Sequence, residues 1–138
     1  MTLDAKKVII VEDEPAVADL LEEMLSIDGY QVKKIHSSTG ALSVIRAEKP
    51  DVVLLDIMMP DVSGLEVVRF MRREPDMQRV PVVIVSAKTL PEDIRTGLEA
   101  GATAYLTKPV DMGGLRRTVA QVIREAENPN AEPIKDDE

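Results

Sequence analysis

Three unbroken runs of four aliphatic residues, Val8–Val11, Val52–Leu55 and Val82–Val85, constrain this chain more than any other feature. None alternates with polar residues, so each reads as a strand covered on both faces. Such strands belong inside a parallel sheet, whose crossover connections place helices on either side. A shorter run, Ala104–Leu106, supplies another strand. Gln31–Ile35 mixes Gln and two Lys with Val and Ile, the composition of an exposed edge strand.

Helical periodicity fills the intervals. After Pro15, which suits a first helical turn, Val17, Leu20, Leu21, Met24 and Leu25 form the stripe of a core-facing helix, stopped at Gly29. Ala41, Val44 and Ile45 mark a second helix before Pro50, and Val67, Phe70 and Met71 a third after Gly64. Ile94 and Leu98 mark a fourth between Pro91 and Gly101. Leu115, Val119, Val122, Ile123 and Ala126 mark a fifth. Strict alternation predicts an α/β domain of flavodoxin-like (βα)5 type, doubly wound, with a five-stranded parallel sheet in the order 2-1-3-4-5. That order puts the polar second strand and the short fifth strand at the edges. The predicted domain spans residues 5–127. Residues 128–138 hold two prolines among mostly charged and amide side chains and read as an acidic, disordered tail.

Composition narrows the function. The 138 residues fit one domain, and with 44% apolar residues, one Phe, two Tyr and no Trp, its core is aliphatic. Acids outnumber bases 25 to 17, for a net charge of −8, which argues against a nucleic-acid footprint and against docking on an anionic membrane. There is no cysteine, hence no disulfide framework or thiol nucleophile. The N-terminal residues lack the apolar stretch of a signal peptide, and no segment approaches a membrane span. The expectation is a soluble, cytoplasmic protein.

In an open α/β sheet, ligands bind beyond the carboxyl ends of the strands, where strand order reverses. After Val11 come Glu12, Asp13 and Glu14. After Leu55 comes Asp56, after Val85 comes Ser86, and past Leu106 come Thr107, Lys108 and Pro109. Each has an ordinary explanation taken singly: helix-capping acids, a loop acid, a turn hydroxyl, a solvated lysine. Together at one sheet edge, the carboxylates require a counter-ion. Glu12, Asp13 and Asp56 offer the hard oxygen ligands that Mg²⁺ prefers. Lys108 can neutralise a phosphoryl oxygen and Ser86 can donate to another, a constellation suited to phosphoryl transfer.

Four segments then carry a family resemblance over residues 5–127: Val8-Ile-Ile-Val-Glu-Asp-Glu-Pro15, Leu54-Leu-Asp-Ile-Met-Met-Pro-Asp-Val-Ser-Gly64, Val83-Ile-Val-Ser-Ala87 and Ala104-Tyr-Leu-Thr-Lys-Pro109. In this order, each at a strand end, they resemble the receiver domains of two-component response regulators. The resemblance implies that Asp56 takes a phosphoryl group from a phosphohistidine of a sensor histidine kinase or phosphotransfer protein. It implies a Mg²⁺ cofactor, with Mn²⁺ as a substitute, held by Asp13, Asp56, Glu12 through water, and the Met58 carbonyl. Lys108 would pair with the phosphoryl group, ahead of a cis Lys108–Pro109 bond. Ser86 and Tyr105 would form the switch pair, remodelling the face of the fourth helix, fifth strand and fifth helix to regulate a downstream protein or output domain. Phosphorylation-dependent dimerisation is compatible with this reading. The chain would be a signalling phosphoacceptor, catalysing only its own phosphorylation and slow dephosphorylation. Met58, two residues beyond Asp56, is apolar and cannot orient an attacking water, which implies a long-lived phosphoryl group.

Two other readings fit less of the pattern. A Mg²⁺-dependent phosphohydrolase of haloacid-dehalogenase type needs a second acid at the position of Met58. A phosphorylation-independent interaction module would have lost an acid, the acceptor or the lysine. His36 is read as a surface side chain, Met58 and Met59 as loop packing, and Arg116 and Arg117 as a solvated helix face. The few residues after Glu127 cannot form an output domain, so the chain acts through protein contacts or is the receiver portion of a longer protein.

Overall fold

The computed structural model describes residues 5–128; the tail expected over 128–138 lies, apart from Asn128, outside the described residues. Five strands alternate with five helices: β1 (Lys7–Val11), α1 (Pro15–Ser26), β2 (Gln31–Ile35), α2 (Ala41–Glu48), β3 (Val52–Leu55), α3 (Gly64–Arg73), β4 (Val82–Ser86), α4 (Pro91–Ala100), β5 (Ala104–Thr107) and α5 (Met112–Glu127). All pairings are parallel and the order is β2-β1-β3-β4-β5, the doubly wound arrangement expected. No helix among the described residues is long and apolar enough to cross a membrane.

The aliphatic runs become the central strands because both of their faces are covered. On one face Val8, Ile10, Leu54 and Val83 pack with Leu21 and Leu25 of α1 and Leu115 and Val119 of α5. On the other, Ile9, Val11, Val53 and Leu55 pack with Ile45 of α2 and Val67, Val68 and Met71 of α3. The mixed strand β2 is half-exposed at its edge, where Lys33 pairs with Glu48 and Lys34 with Asp19 and Glu22. Chain reversals fall where conformation permits them. Gly29 follows α1 at φ 81°, and Lys49 closes α2 in the left-handed region just ahead of Pro50.

The helical stripes need three corrections. Leu20, counted in the core stripe of α1, is 51% exposed, because the sheet-facing line runs through Ala18, Leu21 and Leu25 instead. In α4, Leu98 is exposed and Ile94 only half-buried; the residue pressed against the sheet is Gly97. A glycine has no side chain to enter a hydrophobic pattern, so periodicity points to the wrong side of that helix. Ala126, at the end of α5, is likewise exposed.

Candidate functional site

Strand register brings the site together. Val11 of β1 lies opposite Leu55 of β3, so Glu12 and Asp56 leave adjacent strands side by side. The Asp56 amide donates to the Val11 carbonyl and the Glu12 amide to that of Ile35, carrying the ladder one step past each strand. Ser86 closes β4 opposite Thr107 of β5, and the Lys108 amide donates to the Ser86 carbonyl at 2.8 Å. Glu12, Asp56, Ser86 and Lys108 therefore meet at one end of three neighbouring strands and the edge strand β5. The Lys108–Pro109 peptide is cis.

Lys108 Nζ lies 2.8 Å from Glu12 Oε1 and 2.8 Å from Asp56 Oδ2, with the three side chains 18%, 2% and 7% exposed. The other oxygens are also engaged. Asp56 Oδ1 accepts from the Met58 amide at 2.9 Å, and Glu12 Oε2 from the Glu14 amide at 3.2 Å. Burial pushes the Glu12 carboxyl up, against the opposing pull of Lys108 and the Glu14 amide. Burial alone lowers Lys108, but Asp56 and Glu12 outweigh it and hold the ammonium above its ordinary value.

One ligand oxygen from each of Glu12, Asp13 and Asp56 lies within 4.8 Å of the others. Asp13 is half-buried and its carboxylate pairs with no cation among the described residues, so Lys108 serves two of the three carboxylates. An all-carboxylate donor set with surplus negative charge fits a hard divalent cation. The alternative, that these acids cap α1, is not what the structure shows: Glu14 at the N-cap makes no side-chain capping bond. Beside Asp13 opens a cleft of about 610 Å³ lined by Met58, Met59, Ser63, Lys88 and Thr96 among others. Met59 packs into the core as expected, whereas Met58 is 51% exposed and faces solvent.

Ser86 is fully buried and its Oγ accepts from the Lys88 amide at 3.2 Å. Tyr105 is turned inward: its ring packs against Ile57, Ile84 and Ala102, and its hydroxyl donates to the Lys88 carbonyl at 2.8 Å. Burial pushes the Tyr105 phenol up, and the Ser86 hydroxyl partly offsets this. His36 is exposed, with Nδ1 3.0 Å from the Glu12 carbonyl oxygen. Arg116 is not merely a solvated face; it pairs with both oxygens of Asp28.

Two supporting residues escape a sequence reading. Asp61, five residues beyond Asp56, accepts from the hydroxyls of Ser37, Ser38 and Thr39 and from the Thr39 amide. It ties the β2–α2 loop to the β3–α3 loop, and these donors hold its carboxyl far below the usual carboxylate range. Gly64 opens α3 hard against the end of β3, where a Cβ would stand within contact of the Asp56 carbonyl oxygen. The Ser-Ser-Thr cluster and the Asp-Val-Ser-Gly turn were the available signals, but nothing local joins segments 22 to 24 residues apart.

A family model described as the response regulator receiver domain matches residues 8–120. The chain belongs to that family, the receiver domains of two-component signalling. Among solved structures it resembles a response regulator receiver domain protein from Methanospirillum hungatei, at 27% identity and a TM-score of 0.84, covering 92% of this chain and 100% of that one. It also resembles the signal receiver domain of a signal transduction histidine kinase from Syntrophus aciditrophicus, at 28% identity and 0.81, covering 95% and 98%. A third relative is the receiver domain of a sensor histidine kinase from Pseudomonas aeruginosa, with a magnesium ion coordinated in its active-site cleft, at 28% identity and 0.81, covering 88% and 99%.

Proposed function

We infer that Asp56 is the phosphoacceptor of this receiver, taking a phosphoryl group from a phosphohistidine of a sensor kinase or phosphotransfer protein. One carboxylate oxygen of Asp56 attacks phosphorus as the phosphorus–nitrogen bond breaks, leaving an aspartyl phosphate and a free imidazole. The observation that carries this reading is the placement of Asp56 itself. It is nearly buried at the end of a central strand, in direct contact with Lys108, beside Glu12 and Asp13, and one strand from Ser86.

Each residue has a task that its surroundings support. The Met58 amide orients the Asp56 carboxylate. Lys108, already held between two carboxylates, supplies a point charge for a phosphoryl oxygen. Glu12, Asp13, Asp56 and the Met58 carbonyl are the ligand set for Mg²⁺, or Mn²⁺ in its place. When bound, that cation supplies the positive charge that offsets repulsion between carboxylate and phosphoryl group. Ser86 Oγ accepts from the Lys88 amide, which leaves its hydroxyl proton to be donated to a phosphoryl oxygen. Tyr105 shares its Lys88 anchor, so a shift at Ser86 reaches the face formed by α4, β5 and α5 through that residue. This face is the contact through which a cytoplasmic partner would be regulated.

The test is incubation with Mg²⁺ and acetyl phosphate, read by mass spectrometry. The expected result is a gain of one phosphoryl group in the wild type and none in Asp56→Asn. No gain, or a gain that survives Asp56→Asn, overturns the assignment.

A further inference from the structure

Gly97 is the one fully sheet-facing position of α4, although glycine is the least suitable ordinary residue for a helix interior after proline. Something must require the missing side chain. A Cβ at this position would stand 2.9 Å from Tyr105 Cδ2, 3.0 Å from Tyr105 Cε2 and 2.9 Å from Ile84 Cδ1. These separations are too short for carbon atoms to share, whose contacts are optimal near 3.5–4.0 Å. The volume of the absent side chain is thus occupied by the edge of the Tyr105 ring.

The two obstructing side chains differ in their freedom to leave. Ile84 is completely buried in central strand β4 and has nowhere to go. Tyr105, its register partner on edge strand β5, is only half-buried, and its ring is held by the contact cluster and by the hydrogen bond of its hydroxyl to the Lys88 carbonyl. Adding a methyl group at position 97 is therefore relieved most easily by rotating the tyrosine ring outward.

We propose that Gly97 is the seat of the Tyr105 ring, a positioning residue that admits the inward rotamer and sets its balance against the outward one. Any larger residue there shifts the ring toward solvent. The importance of that balance for signalling rests on the phosphoacceptor reading, but the steric relation does not.

The chain has two tyrosines and no tryptophan, so in a Tyr30→Phe background Tyr105 fluorescence is observed alone. The full unphosphorylated chain is titrated with acrylamide, with and without Gly97→Ala. Quenching is expected to rise in Gly97→Ala toward that of a solvent-exposed tyrosine. Thermal melts supply the second readout. In a Tyr105→Ala background, Gly97→Ala is expected to raise the melting temperature by about 3–6 °C, because the helix gains a better residue, meets no ring, and leaves Ile84 Cδ1 the space the ring had filled. With Tyr105 present, that rise is absent or reversed. Unchanged quenching together with the same melting shift in both backgrounds overturns the proposal. So does full rescue of Gly97→Ala by Ile84→Val, which would make the glycine a matter of helix–sheet spacing. Gly97 touches no group at Asp56, so acetyl phosphate labelling is expected to persist in Gly97→Ala. A chain that fails to label yet passes the quenching and melting tests refutes the phosphoacceptor reading and leaves this one standing.

Discussion

Asp13→Asn is expected to stabilise the metal-free domain, because Asp13 is the member of the acidic cluster that Lys108 does not reach. Two unit charges 4.8 Å apart, the span of the ligand oxygens, repel by about 0.9 kcal/mol in water and about 3.5 kcal/mol at an effective dielectric constant of 20. Asp13 faces two such neighbours, while Lys108 cancels part of their charge and solvent screens its half-exposed carboxylate. The net relief on neutralising it is about 1–2 kcal/mol, or roughly 3–10 °C in melting temperature for a domain of this size. The measurement is a melt at pH 7 in EDTA at low salt, repeated at high salt, where the gain shrinks. Saturating Mg²⁺ then reverses the order. The wild type gains about 2.7 kcal/mol at a hundredfold excess over the dissociation constant, and the variant, short of one ligand, gains less. An Asp13→Asn protein less stable than wild type in EDTA would refute the claim that this cluster is electrostatically strained, and an unchanged Mg²⁺ response would refute Asp13 as a ligand.

Three further outcomes follow from the same geometry. Met58→Asn, which puts a polar group at the exposed position two residues past Asp56, is expected to shorten the phosphoryl lifetime; decay as slow as wild type after removal of the donor would count against the apolar shield. Gly64→Ala forces a Cβ against the Asp56 carbonyl oxygen and to within 2.7 Å of Ile57 Cα, both backbone atoms that cannot turn aside. It should destabilise the domain by about 2 kcal/mol in urea titration and slow labelling of Asp56. Asp61→Asn should lower stability at pH 7, and the gap should narrow as the pH is taken from 7 to 2. A carboxyl held below its ordinary value contributes stability above the unfolded pKa of about 3.9 and loses it as pH falls toward the folded value. A gap between wild type and variant that is the same at both pH values would show that the Asp61 charge is immaterial.

The readable part of this molecule was that whose cause is local. Val8–Val11, Val52–Leu55 and Val82–Val85 could only be covered strands, and their order placed Glu12, Asp56, Ser86 and Lys108 at one edge, where the register holds them. The inward position of Tyr105 and the burial of Gly97 depend on how one helix lies across one strand, which no periodicity encodes. Leu98 misled for the same reason: an apolar side chain at helical spacing marks a face without saying what it faces. The Asp61 strap and the Arg72 contacts join polar groups distant in sequence, and their partners are largely backbone carbonyls and hydroxyls of common residue types. The expectations of a Met58 carbonyl ligand, of a Ser86–Tyr105 switch and of the direction of signalling came from resemblance rather than from spacing.

The Arg72 guanidinium donates to the carbonyls of Gly101, Gln78 and Val80 at 2.8, 3.0 and 2.8 Å, fastening the trailing end of α4 to α3. At the leading end the N-cap Leu90 is 58% exposed, its amide bonded within its own turn to Asp93, and the cleft beside Asp13 runs past Asp93 and Thr96. Such a helix is a lever pinned at its far end. It is about 15 Å long, so a swing of about 10° would carry its first turn roughly 2.6 Å while its last turn stays in place. Displacement would thus be largest next to Lys88, where the backbone meets both Ser86 and Tyr105, and smallest at the riveted end.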